Sequence, residues 1–87
     1  MLSTTVTIKN PSGLHMRPAG LFVKTCMPYK SDIFFDIRGG TYNGKSMIKV
    51  LSAAVKCGDD IKLRTDGEDE AICMDAVIAA VDSGLGE

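Results

Sequence analysis

The sequence predicts an α+β fold, a four-stranded antiparallel sheet covered on one face by three helices. Strand-like alternation and helical periodicity succeed one another in the order β-α-β-β-α-β-α. Each strand is apolar on one side only, and each helix carries one apolar stripe, so the two kinds of element bury their apolar faces against each other. The length of 87 residues, with 45% hydrophobic and 24% charged, suits a single domain over residues 1–87.

The first strand is read at Thr4–Ile8, with Val6 and Ile8 on one face. A first helix follows, whose stripe is read as Met16, Ala19, Gly20, Val23 and Met27 with Phe22 beside it. Pro28 stops it near Cys26 or Met27, because a proline pushes the preceding residue out of the α region. The second strand, Asp32–Arg38, points Ile33, Phe35 and Ile37 inward. Gly39-Gly40 then leads into a short strand at Thr41-Tyr42, left through Asn43-Gly44, that pairs back as a hairpin. A second helix starts after Ser46, a good N-cap residue, and is expected to run to Gly58. The last strand, Asp60–Thr65, turns Ile61 and Leu63 inward. The last helix follows Glu68-Asp69-Glu70, acids that suit a helix N-terminus, and repeats Met74, Val77, Ile78, Val81 and Leu85 until Gly84 and Gly86.

No apolar run approaches the ~20 residues of a membrane span, and Met1–Ile8 alternates Thr with aliphatics where a leader would have a charged and then an apolar region. A cytoplasmic monomer without membrane insertion is expected. Cys26, Cys57 and Cys73 are odd in number and contain no C-x-x-C pair, so they are read as reduced cysteines of no special role. One histidine, scattered cysteines and an acidic stretch without EF-hand spacing give no metal site, and no cofactor is expected. The net charge of -1 hides an asymmetry: residues 1–58 carry eight Lys or Arg against two acids, and residues 59–87 carry two against nine. A basic surface on a nearly neutral domain can steer an acidic partner.

The segment Asn10-Pro11-Ser12-Gly13-Leu14-His15-Met16-Arg17-Pro18-Ala19-Gly20 holds the only histidine. His15 falls where a loop becomes a helix, so the free N–H groups of the first turn and the helix dipole face whatever is bonded to its ring. Pro18 has no N–H to offer, which leaves the backbone donors of Met16 and Arg17, with Ser12 nearby, to meet an anion. Arg17 adds a guanidinium able to grip phosphate oxygens in a bidentate way. Such surroundings suit a ring that takes up a dianionic phosphoryl group and gives it away again.

GLHMRPAG resembles the GLHARPA signature of HPr, the histidine phosphocarrier family of the bacterial phosphoenolpyruvate:sugar phosphotransferase system. The resemblance extends to the strand before the histidine, the Asn43-Gly44-Lys45-Ser46 segment, the G-D-x-I entry to the last strand and the terminal helix. It implies the open-faced β-sandwich of that family. It further implies that His15 takes a phosphoryl group on Nδ1 from phospho-Enzyme I and passes it to a sugar-specific EIIA domain, assisted by Arg17, so the chain is a carrier rather than an enzyme. The family's serine at the start of the second helix corresponds to Ser46, phosphorylated in some lineages by HPr kinase/phosphorylase to promote binding to a catabolite-control transcription factor. Partner docking falls on Met47, Ile48 and Leu51, and on Gly20 and Lys24 of the first helix. Met16 stands where the motif has alanine.

Three other readings compete. A regulatory module of the same fold would act through Ser46 alone. Gly39 to Ser46 satisfies the G-x-x-x-x-G-K-[ST] pattern of a nucleotide-binding P-loop, with Ile78–Asp82 mimicking the magnesium-binding run. That loop, however, requires a parallel sheet where a hairpin is expected here. A nucleic-acid module would use the basic first half with Tyr29, Phe34, Phe35 and Tyr42, but no RNP-type or KH-type motif is present.

Overall fold

The computed structural model describes residues 1–87. Its elements are β1 (Leu2–Thr7), α1 (Met16–Cys26), β2 (Asp32–Ile37), β3 (Gly40–Asn43), α2 (Met47–Ser52), β4 (Asp60–Asp66) and α3 (Glu70–Asp82), the expected order. The strands form one antiparallel sheet in the order β1-β4-β2-β3. The last strand thus inserts between the first two and joins the two halves of the chain.

The inward faces of β2 and β4 bury Ile33, Phe35, Ile37, Ile61, Leu63 and Thr65, as their alternation requires. Phe22 of α1 meets Phe35 edge-to-face at 5.7 Å, and Tyr42, its neighbour across the strands in β3, stacks on Phe35 at 5.5 Å. Full burial of each phenylalanine contributes roughly 1.5–3 kcal/mol. On the open face, Arg64 lies over the Phe34 ring at 5.8 Å and pairs with Asp36 at 2.9 Å. No helix is long and apolar enough to cross a membrane.

Four details differ from the sequence reading. The first strand starts and ends earlier, and Ile8 is buried just beyond it, held by its N–H to the Asp59 carbonyl and by the Gly58 N–H to its own carbonyl. The buried stripe of α1 is Pro18, Ala19, Phe22 and Cys26, whereas Met16 and Met27 are exposed. Phe22, set against Phe35, fixes the rotation of the helix and turns both methionines outward. The second helix ends at Ser52, because Ala54 takes a left-handed φ of 52° and the Arg38 guanidinium covers the carbonyls of Ala53 and Ala54. Gly58, expected to close that helix, serves the turn into β4 with φ 93°. Arg38 itself leaves the strand: with Gly39 it forms a two-residue turn, φ 48° and 76°, the paired positive values of a type I′ hairpin.

Candidate functional site at the start of the first helix

The loop from Lys9 to Leu14 is fixed before any function is asked of it. Asn10 is buried, its amide donates to the Gly13 carbonyl at 2.6 Å, and the Gly13 N–H returns to the Asn10 carbonyl at 3.1 Å. Gly13 has φ 61°, and a Cβ there would lie 2.3 Å from the Val55 carbonyl oxygen, so the chain requires glycine. The Leu14 N–H donates to that same carbonyl, and the Leu14 side chain is buried. The exposed residue that follows is His15.

His15 is the N-cap of α1, with extended backbone and no side-chain capping bond, so its ring is free for other work. Its carbonyl accepts the Ala19 N–H at 2.7 Å, which starts the helix. The N–H groups of Met16 and Arg17 have no acceptor within the chain. Arg17 is exposed beside them. Two N–H groups without partners, a helix N-terminus and an exposed arginine thus lie within two residues of an exposed imidazole, a setting that suits an anion. Beside it opens a hollow of about 260 Å³ lined by Leu14, His15, Met16, Leu51, Ala54, Val55 and Lys56.

Ser12 stands in the same loop but is engaged. Its N–H donates to the Glu87 carboxylate at 3.1 Å and its hydroxyl donates to the other oxygen. The Asn10 amide adds a third bond at 3.0 Å. These partners, the Ser12 hydroxyl foremost, hold the Glu87 carboxyl below its ordinary range, with a smaller contribution from the Arg17 charge. The sequence reading missed Glu87 and any role for Asn10. The Asn-x-x-Gly spacing was a usable sign of an Asn-closed turn, whereas nothing local in the sequence joins Glu87 to a residue 75 positions away.

Ser46 is the half-buried N-cap of α2, its hydroxyl oxygen accepting the Lys49 N–H at 3.3 Å. Of the residues expected to dock a partner, Ile48 is 78% exposed, Met47 and Leu51 are half-buried, Lys24 is exposed, and Gly20 has open space where a side chain would project. Met16, 71% exposed, lines the hollow beside His15 together with Leu51. The P-loop pattern dissolves into other uses: Gly40–Asn43 is a hairpin strand, Lys45 donates to the Tyr29 carbonyl at 2.5 Å, and Asp82 lies on α3 paired with Lys9 at 3.5 Å. Cys26 and Cys73 are buried; burial pushes the Cys26 thiol up to about 12, which keeps it protonated and unreactive.

The chain is similar to known proteins in sequence and in fold. The chain is 38% identical over 82 residues to the HPr-like protein Crh of Halalkalibacterium halodurans, covering 94% of this chain and 98% of that one. It is 34% identical over 87 residues to the phosphocarrier protein HPr of Neisseria meningitidis, covering 100% and 98%. It also matches the multiphosphoryl transfer protein of Salmonella typhimurium at 34% identity over 90 residues, where it spans only 24% of that longer protein. Among solved structures, the crystal structure of HPr-C-His from Thermoanaerobacter tengcongensis superposes with a TM-score of 0.97 at 37% identity, covering 100% of this chain and 98% of that one. Residues 2–83 match the family described as the PTS HPr component phosphorylation site, and with the open four-stranded sheet and the exposed histidine at the start of α1 this establishes that the chain belongs to the HPr family.

Proposed function

We propose that the chain is a phosphoryl carrier that receives its group on His15 Nδ1 from phospho-Enzyme I and hands it to a sugar-specific EIIA domain. The observation that carries this reading is the exposed His15 ring at the N-cap of α1, uncapped and next to the unpaired N–H groups of Met16 and Arg17. The Nδ1 lone pair forms the N–P bond as the donor's bond to phosphorus breaks. The bonding electron pair leaves with the donor, which takes the imidazole proton. Charge on the transferring group is met by the first-turn N–H groups and the Arg17 guanidinium. The reverse sequence delivers the group to an acceptor.

Met16 and Leu51 line the hollow beside His15, and with Met47, Ile48, Gly20 and Lys24 of the same two helices they would offer an apolar surface and a cation to which both partners dock in turn. His15→Ala is expected to accept no phosphoryl group from phospho-Enzyme I while keeping a native circular dichroism spectrum. Arg17→Ala is expected to slow acceptance by about tenfold to a hundredfold, the worth of one charge-assisted contact. Normal acceptance by His15→Ala defeats the reading.

A second, compatible role rests on Ser46. A kinase of the HPr kinase/phosphorylase type would add a dianionic group at the edge of the docking surface, changing its charge where Met47 and Ile48 meet a partner. A catabolite-control transcription factor would then be the reader of that state.

A further inference from the structure

The loop that carries His15 is seated at both ends on one short segment, Val55 to Asp59. Where the loop begins, the Ile8 N–H donates to the Asp59 carbonyl at 2.9 Å, and the Ile8 carbonyl accepts the Gly58 N–H at 2.7 Å. Where it ends, the Leu14 N–H donates to the Val55 carbonyl at 3.0 Å, one residue before His15. Lys56, between these anchors, lines the hollow beside the ring. The segment lies between α2 and β4 and belongs to neither, so no helical or sheet ladder holds its shape.

Side chains hold it instead. The Asp59 carboxylate accepts the Lys56 N–H at 2.9 Å, while the Asp59 N–H donates to the Lys56 carbonyl at 3.0 Å. Arg38 reaches in from the β2–β3 turn: one guanidinium nitrogen pairs with the same carboxylate oxygen at 3.0 Å, and the other donates to the carbonyls of Ala53 and Ala54 at 2.8 and 2.9 Å. The Lys56 N–H and then the Arg38 guanidinium hold the Asp59 carboxyl below its ordinary range, which keeps it charged at neutral pH. A single planar group thus fixes both ends of the stretch from Ala53 to Asp59.

We propose that Arg38 and Asp59 are positioning residues for phosphoryl transfer: they hold the 53–59 segment as a platform, and the platform sets where the Leu14 backbone, and with it His15, stands relative to an incoming phosphoryl group. This rests on His15 being the phosphoryl acceptor. Neither residue touches the reacting atoms, so each acts on the rate within the complex with Enzyme I, where small displacements of a reacting group are costly.

The test follows single-turnover transfer from phospho-Enzyme I to the full chain, well below each variant's melting temperature. Arg38→Asn is expected to lower the rate at saturating phospho-Enzyme I about three- to tenfold and to leave the half-saturating concentration within about twofold. Asp59→Asn keeps an oxygen for the Lys56 N–H but loses the charge, and is expected to slow transfer by a smaller factor. The double variant is expected to be no slower than Arg38→Asn, since the two residues act through one bond. Amide exchange at Leu14 is expected to quicken in Arg38→Asn, a change local to the platform. Asp69→Asn breaks bonds between other elements, to Lys30 and Ser31, and is expected to leave both transfer and Leu14 exchange as in wild type. Should Arg38→Asn fail to fold, Asp59→Asn decides alone. Saturating rates equal to wild type in the folded Arg38 and Asp59 variants, or losses no larger than that of Asp69→Asn, overturn the inference and leave the carrier reading standing. A wild-type chain that accepts no phosphoryl group overturns both.

Discussion

The Leu14 N–H donates to the Val55 carbonyl at 3.0 Å, and through this bond the loop that carries His15 is tied to the segment leaving α2. The same carbonyl leaves no room for a side chain at position 13. The two surfaces assigned to phosphoryl transfer and to docking therefore keep a fixed relation.

Gly13→Ala puts a methyl group 2.3 Å from the Val55 oxygen and 2.7 Å from the Lys56 Cα, on backbone with φ 61°. Both contacts are with backbone, so the loop must move. A loss of about 2 kcal/mol or more is expected in urea unfolding, with shifted amide resonances from Asn10 through Arg17.

Arg38 caps the second helix from outside it, with bonds of 2.8 and 2.9 Å to the carbonyls of Ala53 and Ala54 and an ion pair to Asp59 at 3.0 Å. Arg38→Asn suits the left-handed backbone of the hairpin turn and so isolates the loss of these bonds. Stability is expected to fall by about 1–2 kcal/mol, with increased amide exchange in Lys49–Ala54. If exchange there is unchanged, the cap has no role in holding α2.

Asp69 accepts the Ser31 hydroxyl and the N–H groups of Lys30 and Ser31, joining the segment before β2 to the start of α3. The Ser31 hydroxyl is the main cause of a carboxyl pKa lowered from 3.8 to about 2. A depressed folded-state value means stability that is full above the unfolded pKa and lost as pH falls through the folded one. Wild type is therefore expected to exceed Asp69→Asn in melting temperature at pH 6, and the gap is expected to close between about pH 4 and pH 2.

Ser46→Ala removes the oxygen that accepts the Lys49 N–H, and a loss of about 0.5–1 kcal/mol in thermal unfolding is expected. Ser46→Asp keeps a capping oxygen and is expected to restore that stability while lowering phosphoryl acceptance at His15. The two effects separate the cap from the regulatory surface.

The strands and the outer two helices were legible because their periods are clean: Ile33, Phe35 and Ile37 alternate in β2, and Met74, Val77 and Val81 repeat in α3. The end of α2 was not, because the left-handed turn at Ala54 accompanies a cap by Arg38, 16 residues earlier. Met16 and Met27 were misplaced into the core because hydrophobicity does not separate a residue that packs from one that faces outward. At the site, His15 and Arg17 stood out because one segment supplies the ring, the helix start and the guanidinium. Glu87 could not stand out, since only the docking of the chain's far end beside Ser12 brings it there.

The central claim is tested most directly by mixing the purified chain with phosphoenolpyruvate and Enzyme I and recording its phosphorus NMR spectrum. An acid-labile phosphoryl group on Nδ1 of His15 is the predicted result. An active Enzyme I that phosphorylates a control carrier, and leaves this folded chain without a phosphohistidine, would contradict it.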